Sequence, residues 1–244
     1  MAETKPYTDL EGSKKSQVRQ MFNRIAPVYD FLNGVLSLGI DRSWRKKAIA
    51  ELADVPAGEE VLDVATGTAV LAIQAYKKYP TLKFRGMDLS EGMLELGRKR
   101  LHKLNLTEKI ELDLGDSENL PYDTGRFSAV MAAFGVRNFE DLDKGLAEMY
   151  RVTKPGGKII VLEFSKPKSF PFKHLFQLYF KYLLPNFGKL VSKDPRAYQY
   201  LYESVQQFPD YERFLERLSQ RGFVRCAHRS LTLGICCIYT GIKP

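Results

Sequence analysis

Two carboxylates and a short loop of small residues carry the first chemical signal in this chain of 244 residues. Val61-Leu62-Asp63-Val64 is an apolar run with one acid in it, and Ala65-Thr66-Gly67-Thr68-Ala69 follows. The next apolar run ends at Met87-Asp88, with Leu89-Ser90 behind it. A strand that breaks into such a loop and then a helix brings backbone N–H groups to a helix N-terminus, where an anionic group can sit. An acid closing the second strand can accept hydrogen bonds from a ribose diol. The separation of Asp63 from Asp88, about 25 positions, is close to the roughly 20-residue spacing of nucleotide-binding βαβ units. The chemistry implied is the holding of a nucleoside-containing cofactor.

A dinucleotide site wants G-x-G-x-x-G, but Gly67-Thr68-Ala69-Val70-Leu71-Ala72 has glycine only at its first position, which argues against NAD or FAD. No G-x-x-x-x-G-K-[ST] string is present, so the common phosphate loop is also removed. The remaining pattern, an acid late in the first strand and then a glycine-containing loop, resembles motif I of the class I S-adenosylmethionine-dependent methyltransferases. That cofactor carries a carboxylate, an ammonium, a sulfonium and a ribose but no phosphate, so its loop needs less glycine. The resemblance implies S-adenosylmethionine as cofactor, with Asp63, Gly67, Thr68 and Asp88 in its site. The plainer alternative is a generic strand-turn-helix in which Gly67 is a turn and Asp63 a cap.

Such residues need a scaffold. Apolar patterning predicts strands over 60–65, 82–87, 109–114, 127–133 and 158–164, with helices over 69–79, 91–104 and 140–152 between them. Lys154-Pro155-Gly156-Gly157 is a helix stop signal. A helix over 210–221 then precedes strands near 223–229 and 235–241, an antiparallel hairpin. Alternation of this kind predicts an α/β fold with a parallel sheet. With the hairpin it matches the seven-stranded, Rossmann-like sheet of the class I methyltransferases. Ligands of doubly wound sheets bind beyond the carboxyl ends of the strands, which selects four loops. They are Gly67-Thr68; Asp88, with Ser90 as a helix N-cap; Gly115 to Pro121, where Asp116 and Ser117 can meet an adenine amino group; and Phe134-Gly135-Val136-Arg137-Asn138, where a methyl acceptor would lie. Residues 1–55, with helices around 13–26 and 41–53, are expected to form a helical arm that caps the substrate. Residues 56–244 are expected to form the methyltransferase domain, with an aromatic-rich helical insertion at 168–208.

Composition narrows the partners. The net charge of +8 permits attraction to nucleic acid or to anionic lipid without choosing between them. No run of 18 apolar residues exists, and the start, Met1-Ala2-Glu3-Thr4-Lys5, lacks the apolar core of a signal peptide. Cys226, Cys236 and Cys237 are too few and too clustered for a disulfide framework, which fits a reducing cytoplasm. His102, His174 and His228 have no ligand spacing, and adjacent Cys236 and Cys237 would point to opposite faces of a strand, so no metal site is expected.

Two longer strings make a family resemblance explicit. Tyr29-Asp30-Phe31-Leu32-Asn33-Gly34-Val35-Leu36-Ser37-Leu38-Gly39-Ile40-Asp41-Arg42-Ser43-Trp44 resembles the N-terminal signature of the menaquinone and ubiquinone biosynthesis C-methyltransferases, the UbiE/MenG type. Arg151-Val152-Thr153-Lys154-Pro155-Gly156-Gly157 with Lys158 to Ser165 resembles their second signature, and Phe134 to Asn138 resembles their acceptor-side segment. The chain departs from that pattern at Asp41 for a usual histidine, Leu32 for Met, Thr153 for an aliphatic residue, and Ala69-Val70 for a frequent Gly-Asp.

The resemblance implies methyl transfer to a ring carbon of a polyprenylated hydroquinone, with demethylmenaquinol the expected acceptor. A benzoquinol of ubiquinone synthesis or another lipophilic aromatic is the alternative. A phenol has a pKa near 10, so its ring carbon becomes nucleophilic only where the phenolate is favoured. By the resemblance, Arg137 lowers that pKa through its charge, while Asn138 and Tyr29 orient the ring oxygen. The competing role for Arg137 is a salt bridge to Glu140 or Asp141. In the insertion, Phe172, Leu175, Phe176, Tyr179 and Leu183 recur at helical spacing, widened by Leu178 and Phe180 and flanked by Lys173 and Lys181. That face suits a polyprenyl tail or the inner face of the cell membrane, and equally a lid or a homodimer contact. A nucleic-acid methyltransferase lacks support: no Asn- or Asp-Pro-Pro-aromatic string occurs, and all three cysteines lie in the terminal hairpin. Outside catalysis, the rival is an S-adenosylmethionine-binding assembly protein.

Overall fold

The computed structural model describes residues 4–7, 11–37, 39–178, 194 and 196–244. Two helices, α1 (Lys14–Leu36) and α2 (Asp41–Ala50), lead into an alternating series. It runs β1 (Glu60–Val64), α3 (Val70–Lys78), β2 (Lys83–Asp88), α4 (Glu91–Lys103), β3 (Ile110–Leu114), β4 (Phe127–Ala133), a 3-10 turn (Val136–Asn138), α5 (Leu142–Val152) and β5 (Thr153–Phe164). After α6 (Phe172–Leu178) and α7 (Arg196–Gln207), the chain ends with α8 (Glu212–Gln220), β6 (Val224–Leu231) and β7 (Cys236–Ile242). The seven strands form one sheet in the order β3-β2-β1-β4-β5-β7-β6. Its first five strands are parallel, and β7 runs antiparallel between β5 and β6. The order reverses between β1 and β4, so the β1, β2 and β4 loops meet over one crevice.

Strand alternation builds two cores. Ile160 and Leu162 of β5 face a layer with Trp44, Ile49, Leu71 and Phe84. Ile159 and Val161 face the opposite layer with Leu146, Met149, Phe214 and Tyr239. Full burial of each large apolar side chain stabilises the fold by about 1.5–3 kcal/mol. A third, smaller cluster joins Val18 and Met21 of α1 to Phe176, Tyr198, Tyr200 and Val205, and Phe164 and Ile235 link it to the first sheet core.

Three local expectations change. The first helix does not stop near 26 but continues through Pro27 to Leu36. Proline removes one helical hydrogen bond, and buried Met21 and Ala26 with half-buried Phe22, Ile25 and Val28 anchor the helix on both sides of it. Extended backbone begins at Thr153 rather than Lys158, where the Thr153 hydroxyl donates to the Met149 carbonyl at 2.6 Å and closes α5. In the insertion, Phe176 is buried while Phe172 and Leu178 are exposed, so those described members do not form one buried stripe. Tyr179, Phe180, Lys181, Leu183 and the Leu175 side chain fall outside the described residues. Asp41 turns inward, accepting from the Ser37 hydroxyl at 2.8 Å and pairing with Arg45.

Candidate active site

The carboxyl ends of β1, β2, β3 and β4 open into a cleft of about 690 Å³, its mouth included, with α1 across it. Gly67 lies at φ 59°, where glycine is favoured, and nothing stands within 4 Å of the place a Cβ would take. A ligand can therefore approach that backbone closely. Asp88 fastens the loop from β2: its Oδ2 accepts from Gly67 N at 2.8 Å and its Oδ1 from Ser90 N at 2.9 Å. Burial holds the Asp88 carboxyl above its ordinary range, against the pull of those N–H groups. Ser90 caps α4 as expected, accepting from Met93 N at 3.3 Å. Asp116 and Ser117 line the cleft at the end of β3, with Asp116 Oδ2 on Lys15 Nζ at 2.7 Å.

Asp63 and Thr68 sit behind this surface. Asp63 is 1% exposed, and its Oδ2 accepts from the Thr66 hydroxyl at 2.6 Å. Burial pushes its pKa up to about 7, with the Thr66 bond opposing. The Thr68 hydroxyl donates to Asp30 Oδ1 at 2.8 Å and accepts from Arg100 Nη1 at 3.0 Å, while Arg100 also pairs with Asp30. Both residues shape the loop rather than line the cleft. Ala69, the position of the missing family glycine, adopts φ 61° all the same.

On the acceptor side, Tyr29 and Asn138 line the cleft, and Tyr29 meets Phe22 edge to face at 5.8 Å. Asn138 Oδ1 is buried without a hydrogen-bond partner, although buried polar atoms are nearly always paired. It is thus available to a ligand donor. Gly135 passes so close to β1 that a Cβ there would lie 2.6 Å from Ala65 Cβ.

Arg137 is ion-paired, but not with the acids that the alternative reading named. Its side chain is 7% exposed and bonds Glu163 Oε1 at 2.9 Å, not Glu140 or Asp141. Glu163 is fully buried in β5 and needs a cation, whereas Asp141 caps α5 through Lys144 N at 3.1 Å and Glu140 accepts from Lys15 N at 3.3 Å. Burial raises the Glu163 pKa while the Arg137 charge opposes the rise. Arg137 also donates to the Phe134 carbonyl and lies 5.6 Å from the Phe164 ring, outside the lining of the cleft. Glu163, Lys15, Asn23, Asp30 and Arg100 escaped the sequence reading. Only Glu163, a lone charge inside an apolar strand, carried a visible signal.

A reversed seven-stranded order with a glycine loop, Asp88 and Asp116 around one cleft has the fold and cleft of a class I S-adenosylmethionine-dependent methyltransferase. The cleft fits that cofactor: open backbone at Gly67, carboxylates at Asp88 and Asp116, and a small-residue floor at Ala65 and Gly135. Residues 10–243 match the ubiE/COQ5 methyltransferase family, and the chain belongs to it. It is 48% identical over 239 residues to the demethylmenaquinone methyltransferase of Bacteroides fragilis, covering 98% of this chain and 97% of that one. It is 43% identical over 231 residues to the ubiquinone/menaquinone biosynthesis C-methyltransferase UbiE of Geotalea daltonii, covering 94% and 97%. Among solved structures, Haemonchus contortus phosphoethanolamine N-methyltransferase 2 in complex with S-adenosyl-L-methionine shares the fold, with a TM-score of 0.63 at 16% identity over 82% of this chain and 52% of that one.

Proposed function

We propose that the protein methylates a ring carbon of demethylmenaquinol, using S-adenosylmethionine, in menaquinone biosynthesis. The observation that carries the reading is one cleft in which the cofactor-side residues Gly67, Asp88, Asp116 and Ser117 adjoin Tyr29 and the unpartnered Asn138 Oδ1. The near-full-length relatives named for demethylmenaquinone support the choice of acceptor. When bound, S-adenosylmethionine supplies an electrophilic methyl group on its sulfonium. Asp88 would hold the ribose hydroxyls, Asp116 and Ser117 the adenine edge, and the Gly67 backbone the amino-acid tail. Asp63 and Thr68 hold that loop from behind. Asn138 Oδ1 would accept from the quinol hydroxyl and Tyr29 would fix the ring; once that hydroxyl proton passes to solvent, the electron-rich ring carbon facing the methyl group would take it, S-adenosylhomocysteine would be the leaving group, and loss of the ring proton to solvent would restore the aromatic ring. Arg137 acts as a positioning residue, fastened to Glu163, for the turn that carries Asn138.

The test is transfer of labelled methyl from S-adenosylmethionine to a panel of demethylated quinols, with the product carbon located by NMR. Ring methylation of demethylmenaquinol at rates well above a benzoquinol is expected. Transfer to oxygen, or to none of the panel, would overturn the reading.

The acceptor's tail also needs a place. Phe170 is 82% exposed and Leu178 55%, beside Phe172, Lys168 and Lys173. An aromatic tip flanked by cations suits the surface of an anionic bilayer, and among the described residues no helix is long and apolar enough to cross a membrane. Co-sedimentation with vesicles containing phosphatidylglycerol should fall sharply in a Phe170→Ser/Phe172→Ser variant. Equal binding by both proteins would remove the contact.

A further inference from the structure

The turn between β6 and β7 is both strained and apolar. Thr232, Leu233 and Gly234 take φ of 46°, 58° and 90° in succession, a left-handed run that is costly at the first two because each carries a Cβ. Leu233 is nonetheless 58% exposed, so the side chain that this conformation presents stays largely in water. Strain of this kind persists where surrounding contacts fix it, and it gathers at ligand sites. The contacts here come from three elements. The Trp44 indole N–H donates to the Thr232 hydroxyl at 2.7 Å. The Ser165 and Tyr211 hydroxyls donate to the Gly234 carbonyl at 2.8 and 3.0 Å, and a Cβ on Gly234 would lie 2.6 Å from the Tyr211 oxygen. Leu233 is thus held outward between two anchored neighbours.

Its place joins the cleft to the Phe170 surface. On one side Trp44 packs on Phe134 and Phe164, with ring centroids 6.2 Å away in each case, and Phe134 lines the cleft beside Asn138. Ile40, one turn before Trp44 and bonded through its carbonyl to Trp44 N at 3.2 Å, is exposed as well. On the other side Pro167 Cα would lie 3.4 Å from a Cβ on Gly234, and the chain runs on from there to Phe170. Trp44 itself is buried, so the apolar surface beside it is that of Leu233 and Ile40. The cleft, about 690 Å³ with its mouth, has to hold S-adenosylmethionine and the ring of the acceptor, and a long isoprenoid tail must therefore leave it.

We propose that Leu233 and Ile40 form a lip on which the isoprenoid tail of the acceptor lies as it runs from the cleft toward Phe170, which makes Leu233 a residue that selects long-tailed acceptors. The inference rests on the quinol reading above and adds to it a fixed route between the reacting ring and the membrane side of the molecule. Trp44 is a positioning residue, since it ties the lip to Phe134 through its ring and to Thr232 through its N–H. A tail without polar groups is recognised only by the apolar area it removes from water, and two bare aliphatic side chains supply that area.

The test compares two naphthohydroquinones in neutral detergent micelles, one with a long isoprenoid tail and one with a single isoprene unit, so that attachment to a charged bilayer plays no part. Leu233→Gly removes the side chain and makes a φ of 58° easy for the backbone, so the fold is kept. The ratio of kcat/KM for the long-tailed acceptor to that for the short one should fall at least about tenfold from wild type, through KM rather than kcat. Should that variant fail to fold, Leu233→Asn, which also accepts left-handed backbone, carries the same measurement. In the wild-type enzyme, a long-tailed acceptor with a diazirine in its tail should on irradiation label peptides containing Leu233 or Ile40. A ratio within about twofold of wild type, whether both rates hold or both fall, would overturn the lip. Labelling that spares both residues would overturn it too. Wild-type protein that methylates neither acceptor would overturn the quinol reading and the lip with it, a result distinct from the other two.

Discussion

Replacing Glu163 with Gln separates two ways in which Arg137 can serve methyl transfer. Glu163 is fully buried, and Arg137 exposes 7% of its side chain, so the substitution strands a cation among apolar neighbours. Removing one partner of a buried pair costs about 3–5 kcal/mol. At roughly 2–4 °C per kcal/mol for a domain of this size, Tm should fall by about 6–20 °C. Glu163 also accepts from Arg137 N at 3.4 Å and from Phe164 N at 2.9 Å, so the turn bearing Asn138 loosens together with the ion pair. A catalytic group displaced by about 1 Å loses on the order of 100-fold in rate. At a temperature where the variant stays folded, kcat should therefore fall by about 10- to 100-fold. The Kd for S-adenosylmethionine should stay within about twofold, because Glu163 is not among the residues lining the cleft. If the Arg137 charge acted directly on the acceptor, freeing it from its counter-ion would favour the phenolate, hold or raise kcat and move the pH profile to lower pH. Such a profile would refute the positioning role. Adding Arg137→Gln to Glu163→Gln removes the stranded cation and should recover part of the lost Tm, whereas simple additivity of the two losses would count against the pair as an energetic unit.

Three further outcomes follow from the loops. The Asp63 carboxyl, raised by burial from 3.8 to about 7, keeps a proton in the folded protein over a range where the unfolded chain has lost it. Its contribution therefore lowers stability as pH rises from about 4 to about 7, and Asp63→Asn should gain on wild type across that window by up to about 4 kcal/mol in urea melts; a difference that does not change with pH would refute it. At Ala69, relief of a left-handed φ of 61° offsets the lost methyl and the extra freedom of an unfolded glycine, each on the order of 1 kcal/mol, so Ala69→Gly should lie within about 1 kcal/mol of wild type. A loss above about 2 kcal/mol in the same melts would show that no strain is held there. Gly135→Ala forces a carbon to 2.6 Å from Ala65 Cβ, so the β1 and β4 loops must part. Calorimetry should show at least about tenfold weaker S-adenosylmethionine binding, about 1.4 kcal/mol, and unchanged affinity would mean that the cleft floor yields freely.

The sheet was readable because its signals are local. Apolar runs marked the strands of the parallel sheet, and Ser90 behind Asp88 marked the start of α4. What the residues did not disclose was which side of a strand end each acid serves. Asp63 and Asp88 both stand at or near the ends of apolar strands, yet Asp63 turns back onto Thr66 while Asp88, the last residue of β2, reaches Gly67 across the crevice. The ion-pair partner of Arg137 was hidden for a related reason. Its sequence neighbours Glu140 and Asp141 are occupied by α1 and by α5, and the acid that pairs with it comes from 26 positions away. The family departure at Ala69 shows the same limit from the other direction. Read locally, an alanine for glycine there implies a changed loop, yet the φ of 61° is retained. Thr68, the residue before it, is held on one side by Asp30 and on the other by Arg100, from two separate helices. Those distant contacts can carry the strain that a glycine would have avoided, and they tie α1 to this loop. The conformation of the cofactor loop and the seat of α1 above it are thus set by one network, and no window of sequence around Gly67 contains it.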